Sequence, residues 1–418
     1  MFRSLSGILF LLLFLAAEWY GFQAVRTALQ SASPVARRVT DFLYWIITAL
    51  MWGLAIWAMA TRGQGHHPYR AYLASGLLAL VVAKLVVLVF LGFEDVTRAV
   101  RWVAGVFQTR PNGAPGPAIT RSEFLSKAAL LTAAVPFMSL IWGVVRGATD
   151  YRVRRVTLRF PNLPPAFDGF KLLQISDLHT GSFTSKEPLQ RAVALINQQQ
   201  ADLVVMTGDL VNNLATEVED HIDTLAEIQS KLPKLSVLGN HDYADYVDWS
   251  AQGGVAAKRA NLDRLKQNHA KIGWKLLLDE AEHIERNGEK IAVLGVQNWG
   301  AAMRFPKYGN LAKAHAAADP AAPFKILLSH DPSHWDAQVR PEYQDIDLTL
   351  SGHTHGMQFG VNLPFFKWSP VQYVYKQWAG LYQQGKQYLY VNTGLGYIGY
   401  PGRVGFLPEI TLFELRRA

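Results

Sequence analysis

The chain has 418 residues, half of them hydrophobic, with 41 Lys and Arg against 33 Asp and Glu and no cysteine. That length exceeds one ordinary domain, so two structural units are expected. The missing cysteines exclude disulfides and thiolate metal ligands, which leaves His, Asp and Asn as metal donors.

The formal charge of +8 is unevenly placed: 13 basic residues stand against 6 acidic ones through Asp150, and 28 against 27 after it. The excess therefore flanks the apolar N-terminal region and makes no basic face on the rest of the chain. Flanking arginines set membrane topology and meet anionic headgroups, so nucleic acid is not expected as a partner.

Residues 1–150 hold four apolar stretches, 5–22, 42–60, 72–93 and 124–145. Each is near the ~20 residues that a helix needs to cross a bilayer, which predicts a multi-span cell-membrane protein. The first is read as retained, because Glu18-Trp19-Tyr20 stands where a signal cleavage site would need small residues. Trp19, Tyr20, Tyr44, Trp45, Trp52, Trp57 and Trp142 place several rings near span ends, the preferred depth of amphipathic aromatics. Two ionisable residues fall within spans. Glu18 lies near an end and Lys84 is long enough to snorkel, so neither predicts transport.

Loop charges give the expected orientation. Arg26, Arg37, Arg38, Arg98, Arg101, Arg110, Arg121 and Lys127 lie on the first and third loops, against Arg3, Arg62, Arg70 and Arg146 on the other side. The positive-inside rule then puts those two loops in the cytoplasm, and both the N-terminus and residues 151–418 outside it. The segment Thr120-Arg121-Ser122-Glu123-Phe124-Leu125-Ser126-Lys127 reads either as a degenerate twin-arginine export signal, which agrees with that side, or equally as an ordinary basic flank of the span. Residues 110–117, Arg-Pro-Asn-Gly-Ala-Pro-Gly-Pro, form a turn-rich linker to which no activity is assigned.

After Tyr151 no comparable apolar run exists, and short strands alternate with helices. Strands are expected at 153–160, 171–175, 203–206, 235–238, 274–278, 291–296, 325–328, 347–350, 388–391 and 410–415. Helices are expected at 187–199, with Leu189, Val193 and Ile196 on one face, and at 217–231. Five motifs follow apolar runs: Asp177-Leu178-His179, Gly208-Asp209, Gly239-Asn240-His241-Asp242, Ser329-His330 and Gly352-His353-Thr354-His355. A buried strand ending at each motif brings all five to one sheet edge.

This ordered set resembles the calcineurin-like metallophosphoesterases, from about Tyr151 to the C-terminus. The resemblance implies an α/β fold, an α+β sandwich of two β-sheets flanked by helices over residues 151–418, preceded here by a four-helix transmembrane region over 1–150. It also implies two divalent metal ions. Asp209 would bridge them, with Asp177, His179 and His355 on the first and Asn240, His330 and His353 on the second. Mixed nitrogen and oxygen donors suit Mn, Fe or Zn. His241 would not be a ligand but would act as general acid or stabiliser at the leaving-group oxygen. Asp242 is given no assigned role, closing of its turn being the plain alternative, and His269, His283, His315 and His334 are expected to be surface or helix histidines.

Protein Ser/Thr phosphatases continue the second motif with Asp-Arg-Gly, whereas Leu210-Val211-Asn212-Asn213 stands here, which disfavours phosphoprotein substrates. The expected function is a membrane-anchored phosphoesterase that hydrolyses phosphodiester or pyrophosphate bonds by metal-activated hydroxide, on lipid-linked or envelope substrates. Two rivals are a lipid-precursor pyrophosphohydrolase of the UDP-diacylglucosamine type on the cytoplasmic face, and a metal-bound sensor or scaffold without turnover. Oligomeric state is not specified by the residues. Two further segments bear on substrate: the aromatic run from Leu363 to Tyr382, read as packed beneath a long loop in preference to a lip beside the metals or a dip into lipid, and the glycine-rich loop 394–403, whose Arg403 is a candidate ligand for a second phosphate.

Overall fold

The computed structural model of the chain describes residues 2–60, 69–106, 121–303 and 305–418. It forms two compact units, Met1–Trp142 and Gly143–Ala418. The linker at 110–117, Arg62 of the second loop and Thr120 of the signal-like segment lie outside the described residues.

The first unit contains α1 (Phe2–Ala28), α2 (Pro34–Ala60), α3 (Tyr69–Val106) and the greater part of α4 (Arg121–Val145). Pro34–Trp57, Tyr69–Val100 and Ser122–Thr149 are long and apolar enough to cross a membrane. Large apolar side chains such as Phe42, Val89 and Leu131 face outward, an arrangement suited to lipid as the solvent. Lys84 departs from its expected snorkelling: its ammonium bonds the Glu18 carboxylate at 2.5 Å, and Glu18 is buried. An intramembrane charge is costly alone, so pairing across helices satisfies both groups better than an outward reach. Tyr44 donates to the Glu18 backbone carbonyl at 3.1 Å beside them.

The second unit is a sandwich. Its strands are β1 (Arg152–Phe160), β2 (Phe170–Ile175), β3 (Leu203–Met206), β4 (Lys234–Ser236), β5 (Trp274–Leu276), β6 (Glu280–Arg286), β7 (Glu289–Gly295), β8 (Lys325–Leu328), β9 (Leu348–Ser351), β10 (Val361–Leu363), β11 (Phe366–Trp368), β12 (Gly380–Gln384), β13 (Gln387–Val391) and β14 (Glu409–Arg417). One sheet has the order β1-β14-β2-β3-β4-β5 and the other β12-β13-β9-β8-β7-β6, while β10 and β11 form a separate hairpin. Within the sheets β2 to β5 run parallel, as do β7, β8, β9 and β13.

Alternation along the strands builds three cores. Leu172, Leu203, Val205 and Leu235 face Val293, Ile326, Leu328, Leu348 and Leu350 between the sheets. Their neighbours Leu173, Val204 and Met206 pack outward on Leu189, Val193 and Ile196 of α5 (Glu187–Asn197). On the far side Leu327 and Leu389 pack with Leu311 and Trp335. Strands buried on both faces read as unbroken apolar runs, and each such side chain stabilises the fold by roughly 1.5–3 kcal/mol.

The helix expected at 217–231 is replaced by a 3-10 segment, Ala215–His221, and a five-residue α6 (Ile222–Ala226). Asn197 ends it, donating to the Glu227 carbonyl at 2.9 Å and accepting from Gln229 N–H at 2.8 Å. A longer helix, α7 (Gly254–Ile272), follows.

Candidate metal centre

Parallel β2, β3 and β4 of one sheet, and β8 and β9 of the other, end at the same edge of the sandwich. The chain then turns sharply, and the motif side chains stand on those turns. Five of the seven expected ligands, Asp177, His179, Asp209, His353 and His355, hold positive φ between 47° and 73°. Such backbone is costly for residues with a Cβ and persists where the surroundings over-determine it. Glycine is needed beside them for close approach: a Cβ on Gly352 would lie 2.2 Å from Asp177 Oδ2, and one on Gly239 2.2 Å from Asp209 Oδ1.

All seven expected ligands come together, in two groups. Donor atoms of Asp177, His179 and His355 lie within 4.8 Å of one another, as do those of Asp209, His330 and His353. Asp209 Oδ2 is 3.1 Å from His330 Nε2 and 3.6 Å from His179 Nε2, so one carboxylate reaches both groups. Asn240 joins the second: its Oδ1 stands 3.1 Å from His330 Nε2 and 2.8 Å from His353 Nδ1, while its amide nitrogen donates to the Tyr246 hydroxyl at 2.8 Å. That outward bond leaves the amide oxygen facing the imidazoles.

The ring orientations suit cations. His330 Nδ1 donates to the Thr207 carbonyl at 2.7 Å, which leaves the Nε2 lone pair facing Asp209 and Asn240. His353 is turned the other way, with Nε2 on the Tyr375 hydroxyl at 2.8 Å and Nδ1 toward Asn240. Tyr375 in turn donates to Asp331 Oδ2 at 3.2 Å. His179 and His355 present Nε2 to Nε2 at 3.1 Å, and His179 Nδ1 is buried without a hydrogen-bond partner. Opposed imidazole nitrogens beside buried carboxylates are donors facing a place for positive charge, so the residues fit two divalent ions.

Titration of these side chains follows the same charges. Burial works against the charge of His330, but the adjoining Asp209 carboxylate prevails and pushes it up to about 10. Burial opposes the ionised Asp209 and Asp177, and the Asp209 charge opposes Asp177 further, yet His330 and His355 respectively hold both below the usual carboxylate range. His179, chiefly through burial, is pushed down to about 3 and so stays a neutral donor.

His241 stands beside the groups without joining either. Its backbone N–H donates to Asp209 Oδ1 at 2.9 Å, its Nδ1 donates to the Asn212 carbonyl at 2.7 Å, and its ring lies edge-on to His179. Asp242 does more than close a turn: its carboxylate accepts from the N–H groups of Asp209, Leu210, Val211 and Gly239 at 2.8–3.3 Å. Burial first, and the Asp209 charge second, push it up to about 7.

Arg403 is not available to a phosphate. It is fully buried, donating to the carbonyls of Gly396 and Thr393, with one terminal nitrogen 3.0 Å from His355 Nδ1. His334 and His269 are buried as well, held by Ser329 and Ser236 at 2.8 and 3.0 Å, whereas His315 meets Asp345 near the surface. Tyr246, Tyr375, Asp331 and the bracing role of Arg403 escape sequence reading, since none belongs to a motif.

The chain is 32% identical over 266 residues to the uncharacterized metallophosphoesterase YkuE of Bacillus subtilis, covering 62% of this chain and 84% of that protein. This chain belongs to the calcineurin-like phosphoesterases. The family model of that description matches residues 170–357, and one described as "Probable Calcineurin-like phosphoesterase, transmembrane domain" matches residues 3–148. A "transmembrane protein with metallophosphoesterase domain" of Danio rerio is 30% identical over 66% of this chain, which spans 60% of its length. The Bos taurus protein of that name is 28% identical, over 83% of this chain and 73% of the relative. Calcineurin-like phosphoesterase membership implies divalent metals, in keeping with the two donor groups.

Proposed function

We propose that the chain is a membrane-anchored hydrolase of phosphodiester or pyrophosphate bonds, acting on lipid-linked or envelope substrates. The observation that carries this reading is the Asp209 carboxylate set between two nitrogen and oxygen donor groups. Asp177, His179 and His355 would hold one ion and Asn240, His330 and His353 the other, with Asp209 shared. Bound there, Mn, Fe or Zn ions would supply an activated water and neutralise phosphoryl oxygens.

The chain's own groups do the remaining work. The Asn212 carbonyl accepts the His241 Nδ1 proton, so Nε2 is the ring atom left for the leaving oxygen, to which it would give a proton from the doubly protonated imidazolium form. Asp242 and Gly239 fix the turns that carry Asp209 and Asn240. Tyr375 accepts from His353 Nε2 and holds that ring from behind, the role that outer partners play for ligating histidines, while Arg403 packs a terminal nitrogen against His355 Nδ1. Loop charges and the signal-like segment support an extracytoplasmic catalytic unit.

The test is turnover of a soluble aryl phosphodiester by the purified full chain with added Mn²⁺, compared with Asp209→Asn and His241→Ala. Hydrolysis by the parent chain, lost in both variants, is the expected result. A parent chain that binds Mn²⁺ without turning over would make it a metal-bound sensor instead.

A further inference from the structure

The hairpin of β10 and β11 leaves the sandwich six residues after His355 and exposes an apolar tip. Phe365 is 86% exposed, Phe366 52% and Leu363 47%, and Pro364 lies beside them. Leu363 and Phe366 face each other across the strands, so the tip is one continuous patch. Its nearest charge is drawn inward: Lys367 donates to the Ala379 carbonyl and lies over the Trp378 ring. Tyr373 and Val374, just after the hairpin, are also exposed, as is Met357 before it. Single exposed apolar residues are ordinary, but a contiguous patch at a tip whose one lysine is turned away points to a surface with a partner.

The root of the hairpin identifies that partner. Gly143 lies in the last apolar span, Ser122–Thr149, and its carbonyl accepts from Arg403 N–H at 3.1 Å. The next residue, Val404, pairs with Phe359 and accepts from Gly360 N–H at 3.0 Å, one residue before β10 begins. The hairpin therefore springs from backbone two hydrogen-bonded steps from a span. From Gly360 to Pro364 it extends about 13 Å at ~3.3 Å per residue, enough to traverse the headgroup layer. Phe and Leu at such a tip are side chains that favour this depth.

We propose that the tip from Leu363 to Phe366 sits in the interfacial layer of the membrane that holds the N-terminal helices. The same segment returns directly to the metal centre. Ser369, after β11, donates to the Gly356 carbonyl at 2.8 Å, and Tyr375 holds His353. A phosphoester at headgroup level would thus meet donor groups braced by the segment that enters the bilayer. This use of the tip rests on the proposed phosphoesterase activity, whereas the insertion itself does not.

The absence of cysteine makes the test direct, because a single introduced thiol labels without background. Phe365→Cys and, separately, Phe366→Cys full chains, carrying an environment-sensitive fluorophore, are placed in phosphatidylcholine–phosphatidylglycerol nanodiscs with one chain per disc. The expected result is blue-shifted emission quenched by phospholipid spin-labelled near the headgroup, with no quenching at Lys386→Cys. Water-like, unquenched emission at both tip positions overturns the proposal. Blue-shifted emission that ignores the spin-labelled lipid, or needs a second chain per disc, overturns it in favour of a protein contact.

A second arm compares substrates. Phe365→Asp with Phe366→Asp should lower hydrolysis of a phosphoester carried in the bilayer by about tenfold, through lost local concentration, and leave the soluble aryl diester unchanged. Equal rates on both substrates would remove the tip's part in delivery. A parent chain inert toward both would defeat the proposed activity, with the quenching result still standing or falling by itself.

Discussion

Asp209 is the residue on which the site turns, since its carboxylate reaches both donor groups. Asp209→Asn keeps shape and removes charge, so metal content should fall together with kcat, by at least about 100-fold, which elemental analysis and turnover of the same sample would show. His241→Ala should separate those two readouts: kcat falls ~10²–10⁴-fold while bound metal stays unchanged. Loss of metal in that variant would make His241 a ligand. Tyr375→Phe deletes one oxygen, leaving His353 Nε2 and Asp331 without their shared partner, and should weaken the affinity of the second metal about 10- to 100-fold. A calorimetric Mn²⁺ titration with unchanged affinity would show that His353 needs no such brace.

At the scale of elements, α7 and β4 meet through a buried histidine whose protonation couples the fold to pH. His269 Nδ1 lies 3.0 Å from Ser236 Oγ, its Nε2 has no partner, and burial pushes its pKa down to about 4. Between the usual value near 6.5 and about 4 the unfolded chain binds the extra proton, so stability is intact above that window and falls with acid. The slope approaches ~1.4 kcal/mol per pH unit. Thermal melts from pH 7 to 4.5 should therefore show a steeper loss in the parent chain than in His269→Gln. Parallel curves would place the acid sensitivity elsewhere.

The strands that end at the motifs were legible because each is largely buried and reads as a short, mostly apolar run ending at a polar motif. Lys325–Leu328 and Leu203–Met206 match their expected bounds, and the other motif strands differ by a residue or two. Helix periodicity misled at 217–231, where Glu217 accepts from Asn212, Asn213 and Leu214 N–H groups and holds a tighter turn. The polar edge strand β6 carries little apolar signal to read. Burial was the least legible property. Phe365 and Tyr373 look like core residues yet are 86% and 77% exposed, while Arg403 looks like a surface cation and is 1% exposed. Those outcomes depend on contacts with distant segments, which local composition does not encode.

Across the whole molecule, the proposed extracytoplasmic side of residues 151–418 sets where the proposed hydrolysis would occur. Residues on the exposed β12–β13 turn should react from outside, so Lys386→Cys in intact cells should label with a membrane-impermeant maleimide. Labelling only after lysis would reverse the sidedness and favour a cytoplasmic pyrophosphohydrolase. The central claim, that seven side chains from both sheets hold two ions around one aspartate, is tested most directly by anomalous diffraction from crystals of the Mn²⁺-loaded chain. Two peaks about 3.5–4 Å apart, flanking the Asp209 carboxylate, are predicted. A single peak, or manganese bound away from Asp209, would contradict it.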